Sequence, residues 1–145
     1  MQEGGTRFAF DFYVLQGQEQ TQISPFFHNL RHGRLTTTRC KACGTLLWQP
    51  RIVCSKCNAT EMEWVDLPRE GALFAFTAVY AGAPLGMEKD VPFVVGIVQL
   101  DGSPMKVVAR IDDARYEDLR IGDRVGLRVV DVPDGRVWFR FAPIR

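Results

Sequence analysis

The sequence predicts a mainly β protein with three parts in order: a short N-terminal helix, a four-cysteine metal ribbon and a five-stranded barrel. Three observations carry this expectation. The only cysteines fall into two C-x-x-C pairs within eighteen residues. A proline and a glycine frame one short apolar helix ahead of them. Beyond residue 67, strand-like runs recur at regular spacing, separated by turn signals. The expected boundaries are 1–34 for an arm and helix, 35–66 for the ribbon and 67–145 for the barrel.

The arm comes first. Residues 1–22 combine Gly4-Gly5 and a polar run from Gln16 to Gln22 with Phe8, Phe10, Phe12 and Tyr13. That is too aromatic for a linker, and the reading is a segment that packs on its own chain or on a partner. A helix then starts with Ser24 as N-cap and Pro25 in the first helical position, and it stops at Gly33. Phe26, Phe27 and Leu30 form its apolar stripe. So short a helix must dock on another surface to persist. His28 and His32 share one helical face, but no third ligand lies near, so they read as polar helix residues and not as a metal pair.

The ribbon follows. Cys40, Cys43, Cys54 and Cys57 are spaced C-x2-C-x10-C-x2-C, which can gather four thiolates around one tetrahedral Zn²⁺. Gly44 and Asn58 each follow a pair and tolerate the left-handed backbone that a metal knuckle needs. Two disulfides would require an oxidising compartment, and nothing resembling a secretory leader precedes the first helix. A redox C-x-x-C site carries one pair on a βα unit, not two on hairpins. Four sulfur ligands leave no position for water or substrate, so the metal is expected to be structural. Thr36-Thr37-Thr38 and Leu46-Leu47-Trp48 read as strands flanking the first knuckle.

The barrel strands are expected at 71–80 (GALFAFTAVY), 93–100 (FVVGIVQL), 105–111 (MKVVARI), 123–132 (DRVGLRVVDV) and 136–142 (RVWFRFA). Turns are marked by Asp101-Gly102 and Pro133-Asp134-Gly135, and a helical turn (DDARYEDL) separates the third and fourth strands. Five strands with a short helix in that position are the element order of an OB-fold. Gly96 and Gly126 inside strands are read as bends or bulges. The long connection 81–92 would shape the ligand face, with Leu85 and Met87 as apolar contacts.

A formal net charge of +1 conceals an asymmetry. Between Asn29 and Thr60 there is no acid, but there are Arg31, Arg34, Arg39, Lys41, Arg51 and Lys56. Six bases against the net −2 of four thiolates and a divalent ion leave about +4 on that stretch. From Glu61 onward, 14 acids and 11 bases leave −3. The basic surface suits phosphate, whether of a nucleic acid or of a cofactor such as coenzyme A, or it is a solvated face that screens the thiolates. There is no phosphate-cradling G-x-x-x-x-G-K-[ST] loop, no G-x-G-x-x-G and no G-x-S-x-G. With the cysteines assigned to metal and both histidines near the helix, no nucleophile or imidazole base is left for the barrel. Asp112-Asp113 and Glu117-Asp118 read as a solvated turn. No run of about twenty uncharged apolar residues marks a membrane span, and a soluble cytoplasmic protein is expected.

The run from Phe26 to Arg145 resembles the rubredoxin-like zinc-ribbon plus OB-fold proteins, the acyl-CoA-associated group catalogued as a domain of unknown function. The matching pieces are FFHNL, RCKACGTLLWQPRIVCSKC, MEW, GALFAFTAVY, PFVVGIVQLDG and DLRIGDRV. The second knuckle, Cys54-Ser55-Lys56-Cys57-Asn58, departs from the proline and glycine usual in the group. The resemblance implies a small partner subunit of a thiolase-fold or related acyl-CoA enzyme, as in archaeal acetoacetyl-CoA thiolase assemblies, steroid side-chain aldolase and hydratase, and benzylsuccinate-pathway thiolase. The large partner would then supply the catalytic cysteine and histidine. The small chain would hold structural zinc through Cys40, Cys43, Cys54 and Cys57 and help form the acyl-CoA channel. Arg31, Arg34, Arg39, Lys41, Arg51 and Lys56 would be candidate contacts to coenzyme A phosphates, and Leu85 and Met87 would border the acyl group. The alternative is a nucleic-acid-binding zinc-ribbon/OB-fold module, against which stands the acidic balance of the barrel. A free-standing acyl-CoA-binding or hydratase-like protein lacks a catalytic base.

Overall fold

The computed structural model describes residues 15–83, 87–131 and 135–144. The aromatic arm through residue 14, Leu85 and the Pro133-Asp134 part of the last turn lie outside them.

Helix α1 spans Ser24–Arg31. Its N-cap is Ile23 and no side chain caps it, so Ser24 is the first helical residue instead of the cap, and Pro25 stands one position further in than expected. The reason lies upstream. The amides of Gln20 and Thr21 both donate to the Gly17 carbonyl, and this turn delivers the chain already coiled into the helix. The C-terminus behaves as its glycine requires. Gly33 has φ +76°, its amide donates to the Leu30 carbonyl, and the Arg34 amide donates to that of Asn29. Phe26, Phe27 and Leu30 are buried, while His28 and His32 are exposed and lie beside each other with ring centroids 4.8 Å apart.

Three antiparallel strands make the ribbon: β1 (Thr36–Cys40), β2 (Leu46–Leu47) and β3 (Met62–Asp66), in the order β2-β1-β3. Five more close a barrel: β4 (Glu70–Val79), β5 (Phe93–Leu100), β6 (Lys106–Ile111), β7 (Arg124–Asp131) and β8 (Val137–Pro143), in the order β4-β5-β6-β8-β7. A 3-10 turn at Tyr116–Asp118 stands where a helical turn was expected. This is the OB-fold topology. The seam that closes it is the parallel contact of β6 with β8 at Ile111 and Phe141.

Strand alternation builds the core. On β5, Val94, Gly96, Val98 and Leu100 point inward; they meet Leu73, Val107, Ile111, Val125, Val137 and Phe141. Each fully buried side chain of this size contributes about 1.5–3 kcal/mol. The bulge is not at a glycine. Register shifts between Leu73 and Ala75, which leaves Phe74 as the extra residue, 53% exposed. Neither Gly96 nor Gly126 disturbs its ladder. Gly96 instead makes room: a Cβ there would stand 2.8 Å from the Leu73 side chain and 3.1 Å from Ile111. One hydrophobic cluster runs from Phe26 and Phe27 through Leu35 and Leu67 into the barrel, so helix, ribbon base and barrel share a core. Phe26 meets Trp48 and Phe139 edge-on at 6.1 and 6.3 Å. Among the described residues no helix is long and apolar enough to cross a membrane.

Candidate metal centre and adjoining cleft

The two knuckles fold alike. The Cys40 amide donates to the Thr45 carbonyl and the Gly44 amide to that of Cys40; in the second, Cys54 donates to Ala59 and Asn58 to Cys54. Gly44 (φ +76°) and Asn58 (φ +62°) take the left-handed conformation that closes each turn. The four sulfurs consequently converge, all within 4.8 Å of one another, with Cys40–Cys57 at 3.5 Å and Cys43–Cys54 at 3.6 Å. None is in a disulfide. A tetrahedral ZnS4 centre with Zn–S of about 2.3 Å needs sulfurs about 3.8 Å apart, so the donor set fits that ion in number, chemistry and spacing. Cys40 and Cys54 are buried, and Cys43 and Cys57 face solvent. Hydrogen bonds from the Thr45 hydroxyl and amide lower the Cys43 thiol to about 6. Cys57 is pushed up to about 12: its bond with the Ala59 amide is outweighed by sharing with the Cys40 sulfur, by desolvation, and by Cys43 and Cys54. A divalent cation binds thiolates, so its binding at this cluster would release thiol protons.

The ten residues between the pairs form a wall. Thr38, only 1% exposed, accepts a hydrogen bond from the Arg51 amide (2.8 Å) and donates to its carbonyl (2.9 Å). This clamp holds Trp48, Gln49, Pro50 and Arg51 over the barrel, where they bound a cleft of about 790 Å³. The far side comes from β5, β6, β8 and the flank of the 81–92 connection. Its aromatic floor is Trp48, Phe93, Trp138 and Phe139. Among the described residues four cations line it, Arg51, Lys106, Arg110 and Arg140, and no acid does. Arg110 lies over the Phe93 ring at 4.6 Å and pairs with Asp90 at 2.7 Å. Behind them the Asp112 carboxylate faces Arg140 (3.4 Å), Arg128 (3.6 Å) and Arg110 (3.7 Å), which orients the two cleft arginines.

The sequence-predicted cations are dispersed. Arg31 donates to the Gly135 carbonyl at 2.9 Å. Arg34 pairs with Asp66 at 2.9 Å, and that hydrogen bond raises its pKa further. Arg39 stands 3.9 Å from Glu63. Lys41 and Lys56 are exposed on the knuckles. Only Arg51 reaches the cleft. Met87 does too, 6% exposed, while Leu85 lies outside the described residues. Sequence reasoning missed Lys106, Arg110 and Arg140. Lys106-x-Val108-x-Arg110 was legible as one strand face of period two; Arg140 was not, because its neighbourhood with β6 exists only once the barrel closes.

Comparison with known proteins places this geometry. Residues 27–63 match the family described as the ChsH2 rubredoxin-like zinc ribbon domain, and residues 64–130 match the ChsH2 C-terminal OB-fold domain. The chain belongs to this zinc-ribbon and OB-fold family. It is 35% identical over 92 residues to a DUF35 domain-containing scaffold protein of Methanocaldococcus jannaschii, covering 63% of this chain and 64% of that one. It is 33% identical over 98 residues to the benzoylsuccinyl-CoA thiolase subunit BbsA of Thauera aromatica, covering 68% and 65%. The chain thus spans less than two thirds of the length of these relatives. Among solved structures, an Ltp2-ChsH2(DUF35) aldolase matches over 83% of this chain and 92% of the other, with TM-score 0.70 and 22% identity. A DUF35 protein of Sulfolobus solfataricus matches over 83% of each, with TM-score 0.54 and 16% identity. Both structural likenesses are likenesses of fold.

Proposed function

We propose that this chain is the non-catalytic subunit of a thiolase- or aldolase-type enzyme complex acting on coenzyme A thioesters, in the cytoplasm. The observation that carries the reading is the cleft: four cations and an aromatic floor, with no acid among the described lining residues. Phosphate oxygens are matched by guanidinium forks and by the lysine, and flat or apolar parts of the same ligand by the indole and phenyl rings. Kinship with a scaffold protein and a thiolase subunit supports a partner that brings the catalytic groups. In this role Cys40, Cys43, Cys54 and Cys57 hold structural Zn²⁺. Its purpose is mechanical, since it fixes both ends of the 44–53 segment whose middle is the cleft wall. Arg51, Lys106, Arg110 and Arg140 take the phosphate-bearing end. Arg31, Arg34, Arg39, Lys41 and Lys56 contribute a positive field on the ribbon, weakened where Asp66 and Glu63 answer it. Met87, on the cleft lining, borders the acyl thioester, and Leu85 is assigned the same role only from its position in the 81–92 connection.

The test is co-expression with the proteins encoded beside it, to ask whether a thiolase-like one is captured. We expect a stable complex and acyl-CoA condensing or cleaving activity in the complex alone. Single-strand nucleic acid binding with steep salt dependence, and no such partner, would replace this reading with the nucleic-acid one.

A further inference from the structure

A second cavity of about 400 Å³ opens against the first, between α1, the 48–50 turn and β8. The two share Trp48, Gln49, Pro50, Trp138 and Phe139, which form the boundary between them. Their chemistry is opposite. Four cations line the first, whereas the second is walled by Leu15, Ile23, Phe26 and Phe27, and among the described residues its lining carries no charge. Among those residues, Thr21 supplies its one polar side chain outside the shared boundary. Gln16, next to Leu15, ties this segment to β8: its side-chain amide donates to the Val137 carbonyl at 2.6 Å and accepts from the Val137 amide at 2.9 Å.

A cation-lined cleft that adjoins an uncharged chamber across a shared aromatic boundary complements an anionic amphiphile. We infer that the second cavity is an acyl chamber that selects thioesters with a ring-sized apolar acyl group over acetyl. The inference rests on the acyl-CoA reading above and deepens it. The size is sufficient, since an apolar cavity of about 150 Å³ already accommodates benzene. An acetyl group would leave the chamber unfilled and gain nothing from it. A ring loses its hydration there against Phe26, Ile23 and Trp138, which is worth on the order of ten-fold or more in affinity.

The test compares phenylacetyl-CoA with acetyl-CoA, which differ only by the phenyl ring, and with coenzyme A, on the full chain by calorimetry. Phenylacetyl-CoA is expected to bind on the order of ten-fold tighter than acetyl-CoA. Thr21→Phe, which narrows the chamber and leaves the cleft intact, should erase that preference without changing acetyl-CoA affinity; Ile23→Trp reads the same point should Thr21→Phe fail to fold. Lys106→Ala should weaken all three ligands by the same factor. Equal affinity of the unaltered chain for the two thioesters overturns the acyl chamber and leaves the acyl-CoA reading standing. Failure of coenzyme A and both thioesters to bind overturns both. A preference that emerges only when residues 1–13 are removed would mean that Phe8, Phe10 and Phe12 of the chain itself fill the chamber, and this also overturns the inference.

Discussion

Ribbon and barrel are both antiparallel β-structures in one chain, yet they are held together by different means. The barrel buries Leu73, Val98, Leu100, Val107, Val125, Val137 and Phe141 at 1% exposure or less. The ribbon's own satellite core amounts to Cys40, Leu47 and Cys54, with Ala59 and Met62 packed against it. Two of those three buried residues belong to the four-cysteine cluster. Where alternation supplies enough inward apolar side chains, hydrophobic burial closes a sheet. Where it does not, a metal must supply the missing free energy, because a unit of this size cannot bury enough surface alone.

This contrast can be broken deliberately. Chelation, or Cys43→Ser, should cost the ribbon a metal-binding free energy on the order of 10 kcal/mol. Amide resonances of residues 36–66 should collapse while those of β5–β8 persist; a barrel that melts together with the ribbon would show that the two are one cooperative unit. Next in size is Phe141→Ala, which removes a fully buried ring at the barrel seam and should cost about 3–5 kcal/mol by denaturant titration, with zinc stoichiometry retained. Thr38→Val removes both hydrogen bonds to Arg51 while keeping the shape; about 1–3 kcal/mol is expected, read as lowered ribbon stability and faster amide exchange at residue 51. The smallest effect concerns pH. Asp101 is held below the usual carboxylate value by its hydrogen bond with Arg124, across the β4–β7 edge. A depressed folded-state pKa means that the stabilisation is present above the unfolded value of about 3.9 and is lost as pH falls through the folded one. Asp101→Asn should therefore lower neutral stability by the small amount an exposed pair contributes, leave stability unchanged below the folded-state pKa, and so flatten the acid limb of the profile.

Local signals were read correctly where the physics is local. Gly33 terminates α1 because only a residue free of Cβ strain takes φ +76° there cheaply. Gly44 closes its knuckle for the same reason, Asn58 closes the other because its short polar side chain eases the left-handed conformation, and β5 spans Phe93–Leu100 as its alternation predicts. The misreadings have tertiary causes. Ser24 lost the cap to Ile23 because an upstream turn led the chain in. Gly96 looked like a bend, but it faces Leu73 and Ile111 across the barrel, and its missing side chain leaves space for them. The basic ribbon was visible as composition, whereas its pairing with Asp66 and Glu63 was not, since β3 must first lie along β1.

The sequence by itself determined the four-cysteine cluster, the five barrel strands and the family, because each of these is written in spacing, periodicity and turn residues that act within a few positions; it did not reveal the third ribbon strand, β3. The tertiary structure alone decided the cleft and the chamber behind it. Arg51 comes from the ribbon, Lys106 and Arg110 from β6 and Arg140 from β8, and these lie far apart in the chain. Barrel closure at β6–β8 and the Thr38 clamp bring them to one wall, and the free energy for that convergence comes from a core shared by helix, ribbon base and barrel.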